Sequence, residues 1–119
     1  SPKFATTAPS SRDLSKVQMG AKDQWNLWEA EASVAAAEKH WPEAWAAFEA
    51  KSALEDRAGM RWFRARTLCR WAEAHLARGE PDDVQRAREL LAQALAEYEA
   101  MDVPFYVART KAQLQSLPA

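Results

Sequence analysis

The chain has 119 residues, enough for one hydrophobic core and too few for two comfortable ones. Lys and Arg (16) nearly balance Asp and Glu (17), so the net charge of −1 gives no long-range field toward nucleic acid or anionic membrane. The single cysteine, Cys69, rules out an intramolecular disulfide, no apolar run is long enough to cross a bilayer, and abundant Ala with only 3 Gly is helix composition.

In chain order, residues 1–22 are rich in Ser, Thr, Pro and Ala and read as an N-terminal arm or linker, with one helical turn after Ser11. This stretch has neither an apolar signal core nor an initiator Met, which leads us to expect a cytoplasmic fragment of a longer protein. Residues 23–119 form the helical domain. A first helix is predicted at about 23–39 from Trp25, Trp28, Ala32, Ala35 and Ala36 at spacings of three and four. Pro42 opens a second, at about 42–57, with Ala44, Trp45, Phe48 and Ser52 on one side. Gly59 interrupts the run. The third, at about 60–78, carries two apolar stripes, Trp62, Ala65, Cys69, Ala72 and Leu76 beside Leu68, Trp71 and His75, which implies neighbours on two sides. Gly79 is its expected C-cap. A fourth, at about 82–100, buries Ala87, Leu90, Leu91, Ala94, Leu95 and Tyr98. Pro104 opens the last helix, with Phe105, Ala108 and Ala112 on one edge and Val107, Leu114 and Leu117 on another.

Shifting the sequence by 43 positions superposes Ala65-Arg66-Thr67 on Ala108-Arg109-Thr110, and also Ala44 on Ala87, Asp56 on Glu99, Met60 on Val103, Trp62 on Phe105 and Phe63 on Tyr106. Agreement through a helix, a loop and the next helix points to repeated helical hairpins. Trp28, Ala32, Ala35, Ala44 and Phe48 in the first hairpin, and Leu68, Ala72, His75, Ala87, Leu91 and Ala94 in the second, resemble the small-and-large pattern of the tetratricopeptide repeat. Lys51 stands where that family prefers Ala, the turn at 79–83 is about three residues longer, and the period exceeds the family's roughly 34 residues. This long form resembles the repeats of bacterial multidomain signalling and regulatory proteins; a HEAT-like stack also suits the period. The resemblance implies an all-α, right-handed α-solenoid of five helices in two and a half hairpins.

By the same resemblance the concave groove is lined by Asn26, Glu29 and Ser33, then Arg66, Arg70 and Glu73, then Arg109. Arg66, Arg70 and Glu73 share a helical face by spacing alone and suit an acidic peptide or the C-terminal carboxylate of a protein partner. Trp25 and Trp41 are expected at an apolar N-terminal edge, covered by the arm, the parent chain or a second copy in a homo-oligomer. The sequence shows no catalytic, metal or cofactor signature: His40 and His75 read as structural, Glu73 and His75 fall on different sides of a helix, and Cys69 reads as a small buried residue. A small helical enzyme or ligand-binding bundle centred on His75, Glu73 and Cys69 is the alternative. A nucleic-acid module using Arg57, Arg61, Arg64, Arg66 and Arg70 is a third, but Trp62 and Phe63 align with packing positions. The acids of residues 23–56 are expected to pair with the basic third helix through exposed contacts.

Overall fold

A computed structural model describes residues 20–119. Five helices follow one another without a strand among these residues: α1 (Ala21–Ala37), α2 (Trp41–Arg57), α3 (Arg61–Arg78), α4 (Asp83–Met101) and α5 (Pro104–Gln115). The expected arm lies outside the described residues as far as 19; Ala21 and Lys22, assigned to it from the sequence, instead open α1. Ala-rich α1 has the intrinsic propensity to start there, and Asp23 in its first turn complements the helix dipole. Pro42 and Pro104 occupy the first turns of α2 and α5, where a missing amide hydrogen costs nothing.

Helix ends are set by left-handed residues. Gly79 (φ 72°) caps α3 and Gly59 (φ 71°) follows α2, both without steric cost. Lys39 (φ 60°) after α1 and Asp102 (φ 55°) after α4 adopt the same conformation with a side chain present. Lys39 and Gly79 are 40 positions apart, Gly59 and Asp102 are 43 apart, and the helix starts Arg61 and Pro104 differ by 43 as well. The extra length expected in the turn at 79–83 is shared between a one-residue extension of α3, a four-residue turn in place of three, and an earlier start of α4.

Each helix packs chiefly on its neighbours in the chain, and the described residues measure 58 × 32 × 18 Å. Their radius of gyration, 16.6 Å, exceeds the roughly 13 Å of a compact 100-residue domain. The core runs along the contacts between helices. Ala44, Ala65, Ala72, Ala87 and Ala94 are fully buried, letting backbones approach, while Phe48, Leu68, Trp71, Leu90, Leu91 and Tyr98 fill the spaces between them.

Three expectations about burial are corrected. On α5, Phe105, Ala108 and Ala112 are exposed, Phe105 by 69 %, and the helix instead turns Tyr106, Val107, Thr110 and Leu114 toward the protein. No described helix follows α5, so only one of its sides has a neighbour. Ala65 and Ala108 accordingly differ in burial, whereas Thr67 and Thr110, the next matched pair but one, are both buried. The second concerns charge: Glu29 does pair with Arg66 and Arg70 of the third helix, but Glu55, expected in an exposed contact, is fully buried with Lys51 beside it. Leu76 also departs from the reading, sitting at the exposed margin of its stripe.

Candidate functional site

Two junctions between consecutive helices concentrate the polar side chains, and both draw on α3. In the first, between α1, α2 and α3, a single carboxylate oxygen collects most of the donors. Glu55 Oε2 accepts from Lys51 Nζ at 2.6 Å, the Trp25 indole at 2.7 Å and the Thr67 hydroxyl at 3.0 Å, while Lys51 Nζ also donates to Thr67 Oγ1 at 2.6 Å. Glu55 Oε1 is buried without a hydrogen-bond partner among the described residues. Burial holds the Lys51 ammonium below its ordinary value, opposed by the hydrogen bond and charge of Glu55. One turn of α1 further out, Glu29 Oε1 accepts from Arg66 and, at 3.1 Å, from Arg70, with Lys51 Nζ 3.8 Å away. Little space remains: the cleft among Glu29, Ser33, Phe48, Lys51, Thr67 and Arg70 holds about 10 Å³.

The second junction, between α3, α4 and α5, is open. A cavity of about 310 Å³ is lined by the aromatic rings of Trp62, Tyr98 and Tyr106 and by Arg66, Arg70 and Arg109. The rings brace one another: Tyr98 and Tyr106 stack at 5.2 Å, and Trp62 meets Tyr106 edge-on at 5.6 Å. Glu73, Gln113, Cys69 and Thr110 complete the lining. Burial pushes the Cys69 thiol above its ordinary value, against the Thr110 hydrogen bond and the positive charge of Arg109. Burial and the neighbouring Cys69 push the Tyr98 hydroxyl up to about 12. Both groups are therefore neutral at physiological pH. Gln113 Oε1 and Arg66 Nε are buried with no hydrogen-bond partner among the described residues, and the Arg109 side chain forms no ion pair among them.

The groove residues named from the sequence divide between these places. Arg66, Arg70, Glu73 and Arg109 meet around the open cavity; Glu29 and Ser33 border the filled cleft; Asn26 is exposed on α1 and lines neither. Trp25 is half-buried inside the first junction, edge-on to Phe63 at 5.3 Å with Lys51 over its ring. Trp41 is half-buried and stacks on Trp45 at 5.4 Å. An apolar recess of about 190 Å³ does lie at the α1 end, lined by Trp25, Leu54, Ala58 and Met60. Glu55, Tyr98 and Gln113 were missed from sequence; the 43-residue shift places Glu55 on Tyr98 and Arg70 on Gln113, and that correspondence was the available signal.

Of the residues of the other two readings, His75 is engaged in packing, Glu73 and Cys69 line the open cavity, and four of the five arginines pair with acids. His75 is buried against Trp45, ring to ring at 4.1 Å, and its Nδ1 lies 2.6 Å from Asp83 Oδ1. Asp83 also accepts two hydrogen bonds from Arg78, each 2.9 Å, and one from the Glu80 amide at 2.8 Å. Arg78 first, then His75 and the Glu80 amide, hold the Asp83 carboxyl well below the usual carboxylate range despite its burial. His75 thus joins α3 to the start of α4, while Cys69 sits among Thr110 and Tyr98. Of the arginine run, Arg61 and Arg64 reach Glu97, and Arg66 and Arg70 reach Glu29. Among the described residues no group of three metal-ligating side chains converges, and no helix is long and apolar enough to cross a membrane. Comparison with protein-family models, curated proteins and solved structures finds no match to this chain.

Proposed function

We propose that the chain is a non-catalytic protein-interaction scaffold, a short right-handed α-solenoid of tetratricopeptide-like hairpins that serves a larger signalling or regulatory protein. Support for the architecture comes from the elongated shape, the packing of each helix on its chain neighbours, and left-handed helix ends that recur at 40 and 43 positions. The observation that carries the functional reading is the open cavity at the second junction, where Arg66, Arg70 and Arg109 line an aromatic-walled recess. Preformed concave sites with a few convergent polar groups are where partners dock, and arginine recognises carboxylates by directed hydrogen bonds.

Arg109 is the cleanest probe. Arg66 and Arg70 hold the chain's own Glu29, so reversing their charge would disturb fold and groove together. Affinity capture with the wild-type chain is expected to retain a defined protein partner that Arg109→Glu loses while keeping its helical circular-dichroism spectrum. An identical set of retained proteins for both chains would remove the groove from the reading.

A further inference from the structure

The two junctions use corresponding positions. Under the 43-residue shift, Lys51 corresponds to Ala94, Glu55 to Tyr98, Arg66 to Arg109, Thr67 to Thr110 and Arg70 to Gln113; under the 40-residue shift that relates α1 to α3, Glu29 corresponds to Cys69. The threonines are buried at both places, and Thr110 donates to the Tyr106 carbonyl at 2.7 Å. What changes is the acid. Glu29 accepts from Arg66 and Arg70 at the first junction, whereas at the second the matching position carries the short, neutral Cys69, and Lys51 is replaced by Ala94. Removing those two long side chains accompanies the growth of the space from about 10 to about 310 Å³.

The donors survive the change. Arg109 stands where Arg66 does, and the Gln113 amide, which can both donate and accept, stands where Arg70 does. Charge arithmetic gives the valence of the occupant. Among the described residues around the cavity, Arg66, Arg70 and Arg109 face Glu73 on the lining and Glu29 just behind it, a net excess of one positive charge, and of the three arginines only Arg109 forms no ion pair with a described residue. Cys69 and Tyr98 add no negative charge at neutral pH.

We propose that the cavity between α3, α4 and α5 receives one side-chain carboxylate from an acidic residue of a partner protein, in the place that the chain's own Glu29 fills between α1, α2 and α3. This rests on the interaction-scaffold reading and names the chemical group it recognises. A side chain rather than a chain terminus is specified because the internal occupant is a glutamate side chain. The cavity exceeds one carboxylate in volume, so the aliphatic stem of the incoming residue lies against Trp62 and Tyr106.

The test uses nuclear magnetic resonance titration of the ¹⁵N-labelled full chain with an acetylated, amidated alanine-based peptide carrying one glutamate. Saturable shifts are expected at the Gln113 side-chain amide and the Trp62 indole, and the glutamine twin of the peptide is expected to produce none. Arg109→Ala should weaken binding about tenfold or more, the effect of losing a charge-assisted hydrogen bond. Cys69→Glu restores the internal acid, so it should close the cavity and abolish the shifts, while Cys69→Ser binds within about twofold of wild type. Equal shifts with the glutamine peptide, unimpaired binding by a folded Cys69→Glu chain, or binding only of an all-alanine peptide with a free C-terminal carboxylate would each overturn the assignment. The two readings fail separately. A captured partner indifferent to Cys69→Glu leaves the scaffold and removes this site, and glutamate-peptide binding with no protein partner does the reverse.

Discussion

The filled junction and the open junction share a backbone plan and differ in a handful of side chains. In the first, Glu55 and Glu29 accept from the donors that α3 presents, and Lys51 donates to Glu55 and Thr67; in the second, with Ala94, Tyr98 and Cys69 at the matching positions, the Arg109 side chain and Gln113 Oε1 stay unpaired among the described residues. The difference shows two ways in which a polar junction between these helices is resolved. One is satisfied by the chain's own acid, and the other keeps an aromatic-walled recess in which Arg109 has no ion pair among the described residues.

The comparison can be broken most severely at Lys51. Lys51→Met strands the Glu55 carboxylate in the core, and urea denaturation should show a loss of about 3 to 5 kcal/mol. Grafting the second junction's solution, as Lys51→Ala with Glu55→Tyr, should recover most of that loss, because no unpaired charge remains. A double variant as unstable as the single one would mean that the two junctions are not interchangeable.

The next largest effect belongs to the turn that distinguishes the second hairpin from the first. Asp83→Asn removes the negative charge and one of the two oxygens that accept from Arg78, and disturbs His75, with an expected cost of about 2 to 3 kcal/mol at pH 7. The folded Asp83 carboxyl ionises at lower pH than in the unfolded chain, where the value is about 3.9. Its stabilisation is thus complete above that pH and fades as pH falls toward the folded value. Denaturation curves at pH 7 and near pH 3 should show the gap between wild type and variant narrowing in acid.

A smaller contrast sets matched positions on α3 and α5 against each other. Trp62→Ala removes half-buried aromatic packing on Phe63 and Tyr106 and should cost about 2 kcal/mol, whereas Phe105→Ala, at the exposed equivalent, should stay within about 0.5 kcal/mol of wild type. The smallest change sharpens the match of helix ends. Lys39→Gly places at α1 the residue that α3 uses at Gly79 and should raise stability by about 0.5 to 1 kcal/mol in thermal melts.

Much of the helical plan was legible before any coordinates. Pro42, Gly59, Gly79 and Pro104 punctuate the chain by local backbone chemistry, and boundaries placed from them fall within two residues of α2, α3 and α4. The fully buried alanines were legible as well, because periodicity marks the face of a helix that meets a neighbour. The exposed edge of α5 was not. Phe105, Ala108 and Ala112 have the spacing of a packed stripe, and spacing does not say whether a further helix is there to cover it. Arg66, Arg70, Glu73 and Arg109 were named from sequence, yet the contrast between the engaged pair and Arg109 was not visible in it.

The residues by themselves determined where helices start and stop and which faces carry small and large apolar groups, since those outcomes depend on interactions within a few positions along the chain. Tertiary structure alone decided that Lys51 and Glu55 lie in the core, that Glu29 meets Arg66 and Arg70 across 37 and 41 positions, and that one junction closes while the other stays open. Burial and charge pairing depend on which helices come within a few ångströms of one another, and the same Arg or Glu is a solvated surface group or a core ion according to that meeting.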